Sequence, residues 1–279
     1  GEPVLRAYSA IMALLLRVRY AKAAMSEVHN LPLFGLCDWH RRARSRRLPP
    51  DFVRFTHSCD VLRAEVAHLL GCVERHLHVS VLQGGTRTLQ SRLQWLVDGR
   101  PPGPSESPHG RSKPLDWDAS DDPQAGQCDM VETATHLHGE YVHQLMQECF
   151  LAPELHAVLT DVQQLLAMAV ELRDLLVEMA ERLQPGEAGL QDAALEEEAG
   201  LPDHGASAAG GDFFCQHAWH ADAGVLDAKR RVADLQREFR GCVRYLLQVL
   251  MFSIGRGTVH QVSNLCSQIN FNGFYHDAA

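Results

Sequence analysis

Apolar residues recur along most of this chain at every third or fourth position, the period of an α-helix and not of a strand. Near the start, Leu5, Tyr8, Ile11, Met12, Leu15, Val18, Met25 and Val28 keep helical spacing, with Arg17, Arg19, Lys22 and Glu27 between them. That predicts a helix from about Tyr8 to His29, ended by Pro32. After Asp51, a second stripe runs through Phe52, Phe55, Cys59, Leu62, Val66, Leu69, Val73, Leu77 and Val81. Gly84-Gly85 is expected to interrupt it, and a shorter helix to resume from Thr88 to Leu96. Asp129, with Glu132 three residues on, reads as the N-cap of a helix whose apolar face is Ala134, Leu137, Tyr141, Leu145 and Cys149. Ala152-Pro153 breaks the run, and proline suits the first turn of the next helix. That helix carries Leu155, Val158, Val162, Leu165, Ala169, Leu172, Leu176 and Met179. Val232, Leu235, Phe239, Val243, Leu246, Leu247 and Leu250 predict a helix from Leu226 to Phe252. Gly255-Arg-Gly257 then turns the chain into a last short helix marked by Val259, Val262, Leu265 and Ile269. No alternating run amounts to a strand, so the expected fold class is all-α, a bundle of long amphipathic helices.

Two stretches break the pattern. Asp98 to Gln127 is Pro, Gly, Ser and Asp with little apolar content, and Gln184 to Gly211 is acidic and Ala/Gly-rich around Glu196-Glu-Glu198. Neither can bury enough apolar surface to order itself. Both are expected to be disordered insertions in one helical domain spanning 1–279.

Composition narrows the function. A chain of 279 residues, 46% apolar and 22% charged, is globular and long enough for a sizeable core. A net charge of −9 argues against a nucleic-acid or anionic-membrane surface as its main business. The basic run Arg41-Arg-Ala-Arg-Ser-Arg-Arg47 reads more readily as a solvated loop or helix start than as an import or nucleic-acid motif. No apolar stretch reaches the length of about 18 residues that membrane insertion needs. The run Ala10 to Leu16 continues in helical register into Arg17-Val-Arg-Tyr-Ala-Lys22 with no cleavage pattern, so it is not read as a signal peptide. The chain opens on Gly1-Glu-Pro, without Met, and is expected to be a piece of something longer. The eight cysteines include no Cys-x-x-Cys. Cys59, Cys72, Cys149, Cys242 and Cys266 sit in apolar patterns and are expected to be buried free thiols of a reducing compartment.

Catalytic motifs are absent from the sequence: there is no phosphate-binding loop, dinucleotide fingerprint or nucleophile elbow. Among the sixteen histidines, His136, Glu140 and His143 stand at i, i+4 and i+7, a spacing able to present three zinc ligands. Cys215, His217 and His220 form a second group, and Cys37 with His40 a third. None matches an established zinc pattern, and the simpler reading is of histidines set between apolar helix positions. The carboxylate groups Asp121-Asp122 and Glu196-Glu-Glu198 lie in the insertions, where nothing holds a catalytic geometry. No enzyme, metal or cofactor is expected.

The helices taken in order resemble the carboxy-terminal domain of gamma-tubulin complex components. Tyr8-Ser-Ala-Ile-Met-Ala-Leu-Leu-Leu-Arg-Val-Arg-Tyr-Ala-Lys22 is similar to that family's first helix there, and Leu62-Arg-Ala-Glu-Val-Ala-His-Leu-Leu70 to its next. Asp129 to His143 resembles its "Asp-Leu-Asp-Glu-Leu … His-x-x-Tyr-Leu" helix, followed by a Leu-x-Pro break at Leu151 to Pro153. Phe239 to Leu250, the Arg256-Gly257 turn and Ile269-Asn-Phe-Asn-Gly-Phe-Tyr275 resemble its closing helices and aromatic ending. The resemblance covers nearly all of the chain apart from the insertions. The chain departs from the pattern at Val28-His29 and around Gly84 to Thr88, where the family has tryptophans. With the insertions, that suggests a divergent member of the larger accessory type, components five or six.

The resemblance implies a gamma-tubulin-binding scaffold that supports microtubule nucleation in the cytoplasm, at microtubule-organising centres of the cytoskeleton. Its partners would be gamma-tubulin and other gamma-tubulin complex components, with neither nucleic acid nor membrane insertion. A helical adaptor with a non-tubulin partner is the alternative. Because tubulins are acidic, Arg237, Arg240 and Arg244 on the polar side of the penultimate long helix are candidate contacts; a solvated basic face explains them equally well. Phe271, Asn272, Phe274 and Tyr275 are expected to serve as a structural signature, their rings packing back onto the bundle.

Overall fold

The computed structural model describes residues 2–31, 50–98, 123–183, 216–255, 262–271, 273 and 275. The basic run 41–47, Cys37, His40, Cys215, the 256–257 turn, Asn272, Phe274 and nearly all of both insertions lie outside the described residues. The described residues form α1 (Glu2–Asn30), α2 (Pro50–Arg75), a π-helical segment (His76–Gln83), α3 (Gly84–Asp98) and α4 (Pro123–Glu148). A short 3-10 turn (Pro153–Leu155), α5 (His156–Leu183), α6 (Gln216–Ala221), α7 (Ala223–Gly255) and α8 (Val262–Ile269) follow. No strand occurs among the described residues, and the fold is all-α.

Periodicity identifies most of the core. All eight predicted apolar positions from Leu155 to Met179 are buried, as are all seven from Val232 to Leu250. In α2 and the π segment the stripe from Phe52 to Val81 is buried except at Phe55, which is half-buried. Each leucine or phenylalanine side chain so covered contributes roughly 1.5–3 kcal/mol. α1 differs. Its buried face is Ala7, Ile11, Leu14, Val18, Ala21, Met25 and Val28, whereas Leu5 and Met12 are 68% and 53% exposed. Apolar residues stand on both faces of this helix, so spacing alone misassigns those two.

Gly84-Gly85 does not interrupt the helix. The chain passes from α2 through the wider π segment into α3, and Gly84 keeps helical dihedrals at φ −62° and ψ −53°. Two glycines cost a helix about 1 kcal/mol each relative to alanine. Gly85 has a packing reason to be there: a Cβ at this buried site would lie 3.1 Å from Tyr141 Cε2 and 3.5 Å from Leu145 Cδ2. Glycine thus lets α3 approach α4 closely. The start of α4 is a second correction. The helix begins at Pro123, so Asp129 is an interior residue and not an N-cap, and 123–127 belongs to α4 and not to an insertion. Proline at the first position is compatible with helix initiation because its missing N–H has no partner to lose there.

The chain divides into two compact units. The first comprises 1–17, 72–161 and 247–272, and the second 18–71, 162–246 and 273–279. In the first, α3 packs against α4 and against the π segment. Here α4 ends in a Schellman motif: the Leu151 N–H donates to the Met146 carbonyl at 2.8 Å and the Phe150 N–H to that of Gln147 at 3.0 Å. The left-handed position of such a motif normally falls to glycine. Phe150 occupies it at φ 63°, at a cost of about 1–2 kcal/mol, while its ring is fully buried.

The second unit is tied by side chains that cross between helices. Arg173 of α5 bonds Tyr20 Oη and Glu27 of α1, Arg231 of α7 bonds Glu171 of α5, and Ser58 of α2 donates to Gln236 of α7 at 3.2 Å. α6 is only six residues long, too short to persist alone. It is held by Trp219, which is buried edge-on to Phe52 at 4.8 Å and tilted on Phe55 at 5.5 Å.

Candidate partner-binding site

The three candidate arginines stand at i, i+3 and i+7 on α7, so they share one flank of a helix whose other face (Val232, Leu235, Phe239, Val243, Leu246) is core. They do not share one environment. Arg237 is exposed and reaches back along its own helix to Asp234. Arg240 is taken up across the unit by Glu65 of α2 in a two-pronged pair, Nε to Oε2 at 3.0 Å and Nη2 to Oε1 at 2.6 Å. The Glu65 bond is the largest influence holding the Arg240 guanidinium above its ordinary pKa. Arg244 is half-buried. Of the three, Arg237 is therefore open to solvent and Arg240 is already engaged by Glu65.

The carboxy-terminal signature departs from its expected docking at Phe271. Phe271, two residues past the end of α8, is 75% exposed, and Tyr275 is half-buried. The buried apolar content of this end comes instead from Val262, Leu265, Cys266 and Ile269. Those four stand at i, i+3, i+4 and i+7 on one face of α8.

The histidine-rich face of α4 is a set of pairs and not a ligand cluster. Both Glu140 oxygens are occupied, Oε1 by His136 Nε2 at 3.2 Å and Oε2 by Arg92 Nη1 at 2.9 Å. His143 is bonded to Gln147 at 3.1 Å, and His138 to Tyr8 at 3.2 Å. His220 of the second group is exposed. Among the described residues, no three His, Cys, Asp or Glu side chains are placed to hold a metal ion. A shallow depression lined by Glu2, Pro3, Arg6, Ala7 and Met146 has two charged residues, which pair with each other. Cys59, Cys72, Cys149 and Cys266 are buried and Cys242 is half-buried, and none of the five is in a disulfide. Burial pushes the Cys149 thiol up to about 12 and Cys266 to about 11, which keeps both out of the thiolate form. No described helix is long and apolar enough to cross a membrane.

The roles of two residues that shape the molecule are not given by periodicity. Trp219 lies in a helix too short for periodicity to register; the trace it leaves is a lone tryptophan in a stretch of His and Ala, too large a ring to leave in water. His76 falls on the apolar stripe between Val73 and Leu77, where spacing marks it as buried without saying what it binds.

Curated proteins give no match to this chain. The family described as gamma tubulin complex component C-terminal matches residues 2–275, which is nearly the whole length. That family consists of structural components and is not known for catalysis. With residues 2–275 matched, the chain belongs to the gamma-tubulin complex component family, whose carboxy-terminal domain it carries.

Proposed function

We propose that this chain is a gamma-tubulin-binding scaffold module, and that it supports microtubule nucleation at microtubule-organising centres such as the centrosome, spindle pole and basal body. The family match over residues 2–275 carries the reading. The mechanism is positional. A stiff helical module that holds gamma-tubulin at a fixed place beside others removes ordering entropy that free tubulin dimers would otherwise lose when they assemble. Ties such as Arg240 to Glu65 and Arg231 to Glu171 support such stiffness, since each fixes one long helix against another. Its further partners would be other components of the complex, and a divergent component five- or six-like member remains the reading for its place among them.

On this reading Arg237, Arg240 and Arg244 form the basic flank offered to an acidic partner, with Arg237 as the exposed contact. Purified chain should bind purified gamma-tubulin in a pull-down, with the binding weakened by salt and by Arg237→Glu. Failure of the folded chain to bind counts against the scaffold reading and in favour of an adaptor with another partner. Binding that ignores both salt and charge reversal at all three positions removes the arginine site while leaving the scaffold. Deleting the residues after Gln268 separately tests whether the aromatic ending contributes.

A further inference from the structure

The end of α4 is closed by more than its own backbone. The Schellman motif satisfies the Met146 and Gln147 carbonyls, and the next carbonyl, of Glu148, accepts a bond from His76 Nε2 at 3.1 Å. His76 is the first residue of the π segment, 2% exposed, with its ring stacked on Phe150 at 5.5 Å and 18°. Donation from Nε2 fixes the tautomer: the proton sits on Nε2, and Nδ1 is a bare lone pair. That Nδ1 is buried with no hydrogen-bond partner. One neutral imidazole thus caps a helix terminus, covers the ring of a residue in a left-handed conformation, and anchors the start of a π segment. Each of these three features is uncommon, and all three meet at one side chain.

We propose that His76 is a proton-operated latch on the corner between α4 and α5. A proton arriving at Nδ1 creates a buried N–H with nothing to accept it and a buried charge with no counter-ion. The relief is for the ring to leave Glu148 and Phe150, which opens the corner and frees the left-handed Phe150 to relax.

The surroundings do not cancel that charge. Burial pushes the His76 pKa down and outweighs the Glu148 carbonyl, which pushes it up. The Glu148 side chain is 7% exposed; its Oε1 accepts from Gln144 at 2.8 Å and its Oε2 is unpartnered. Burial raises its pKa, against the Gln144 bond that lowers it, so its charged form is penalised where it sits. Cys72 and Cys149 are thiols that burial holds neutral. Glu74 and Arg75 precede the ring on α2, His78 follows it, and Arg75 is exposed. On α3, Arg92 is engaged by Glu140, Asp98 by Gln94, and Arg87 is exposed.

The test is hydrogen–deuterium exchange of the whole chain at pH 7.5 and 5.5, corrected for intrinsic rates. In the open corner His76 has the ordinary histidine pKa of about 6.5, so one pH unit below it the opening equilibrium rises up to about tenfold. That rise is expected in peptides covering 76–83 and 146–152, and not in one covering 165–176 of α5. His76→Gln, whose amide can still donate to the Glu148 carbonyl, should keep protection at pH 7.5 and lose the pH response. Glu148→Gln should leave the response intact. A response that persists in His76→Gln, vanishes in Glu148→Gln, is absent from the wild type, or is uniform along the chain overturns the proposal. Should His76→Gln fail to fold, ring NMR of the wild type decides: His76 titrating below about 6.5 supports the latch, and at or above it refutes it.

Discussion

Removing the Trp219 side chain should destabilise the second unit more than any other single change in α6. The indole is fully buried against Phe52 and Phe55, and its Nε1–H donates to Asp51 Oδ2 at 2.8 Å. Its own carbonyl accepts from Lys229 Nζ at 2.7 Å, and that amine lies 3.2 Å from the ring centroid. Tryptophan-to-alanine changes at buried sites cost about 3–5 kcal/mol, against a total stability of roughly 5–15 kcal/mol for an ordinary domain. With about 2 °C of melting temperature per kcal/mol in a chain of this size, Trp219→Ala should melt some 6–10 °C lower.

Trp219→Phe separates packing from the hydrogen bond. It keeps most of the ring area and drops only the N–H. Asp51 is exposed, so its carboxylate returns to water and no buried acceptor is stranded; the loss should be about 1 kcal/mol. The difference between wild type and Trp219→Phe should also depend on pH. The Trp219 bond is the leading cause that holds Asp51 below its usual pKa. A carboxylate whose folded pKa is lowered adds stability above its unfolded value of about 3.9, and that stability is lost as pH falls through the folded value. The gap should therefore be full at neutral pH and shrink below about pH 4. Thermal and urea unfolding followed by circular dichroism measure all of this. A Trp219→Ala melting within about 1 °C of wild type would show that α6 is not held by this ring. A phenylalanine variant as damaged as the alanine one would place the energy in the N–H and refute the packing account.

Three further outcomes follow from the same geometry. Gly139→Ala and Gly241→Ala lie inside α4 and α7, where the new Cβ would meet nothing within 4 Å beyond its chain neighbours and its own helix backbone, so each should add roughly 0.5–1 kcal/mol and raise the melting temperature; a fall in either would reveal crowding around the helix. Swapping the partners of the α2–α7 tie, Glu65→Arg with Arg240→Glu, should restore stability lost by either single change, and a double-mutant cycle showing no coupling beyond about 0.3 kcal/mol would remove the tie as a stabilising contact. Native protein should offer Cys242 to a thiol reagent ahead of the buried Cys59, Cys72, Cys149 and Cys266, and equal reactivity of Cys149 would contradict the burial that pushes its thiol up to about 12.

The parts of the fold legible in the sequence are those where one face of a helix is core and the other is water. α5 and α7 are of that kind, and every predicted core position in them is buried. Legibility fails where a second constraint acts on the same residues. Gly84-Gly85 looks like punctuation because propensity is local; what keeps the chain helical there is the approach of Tyr141 and Leu145, which are more than fifty positions away. Phe150 looks like a core residue and is one, but nothing in the period says that it also takes a left-handed backbone usually reserved for glycine. The candidate arginines show the same limit at the surface. Helical spacing puts Arg237, Arg240 and Arg244 on one flank, yet a helix flank is not yet a binding face, because Glu65 arrives from another helix and engages the middle one. Periodicity reports the direction in which a side chain points and is silent about what meets it. A core position is fixed by the period of its own helix, whereas an outward-facing residue is fixed by whatever meets it, so the core is the readable part of this chain and its contact surface the unreadable one.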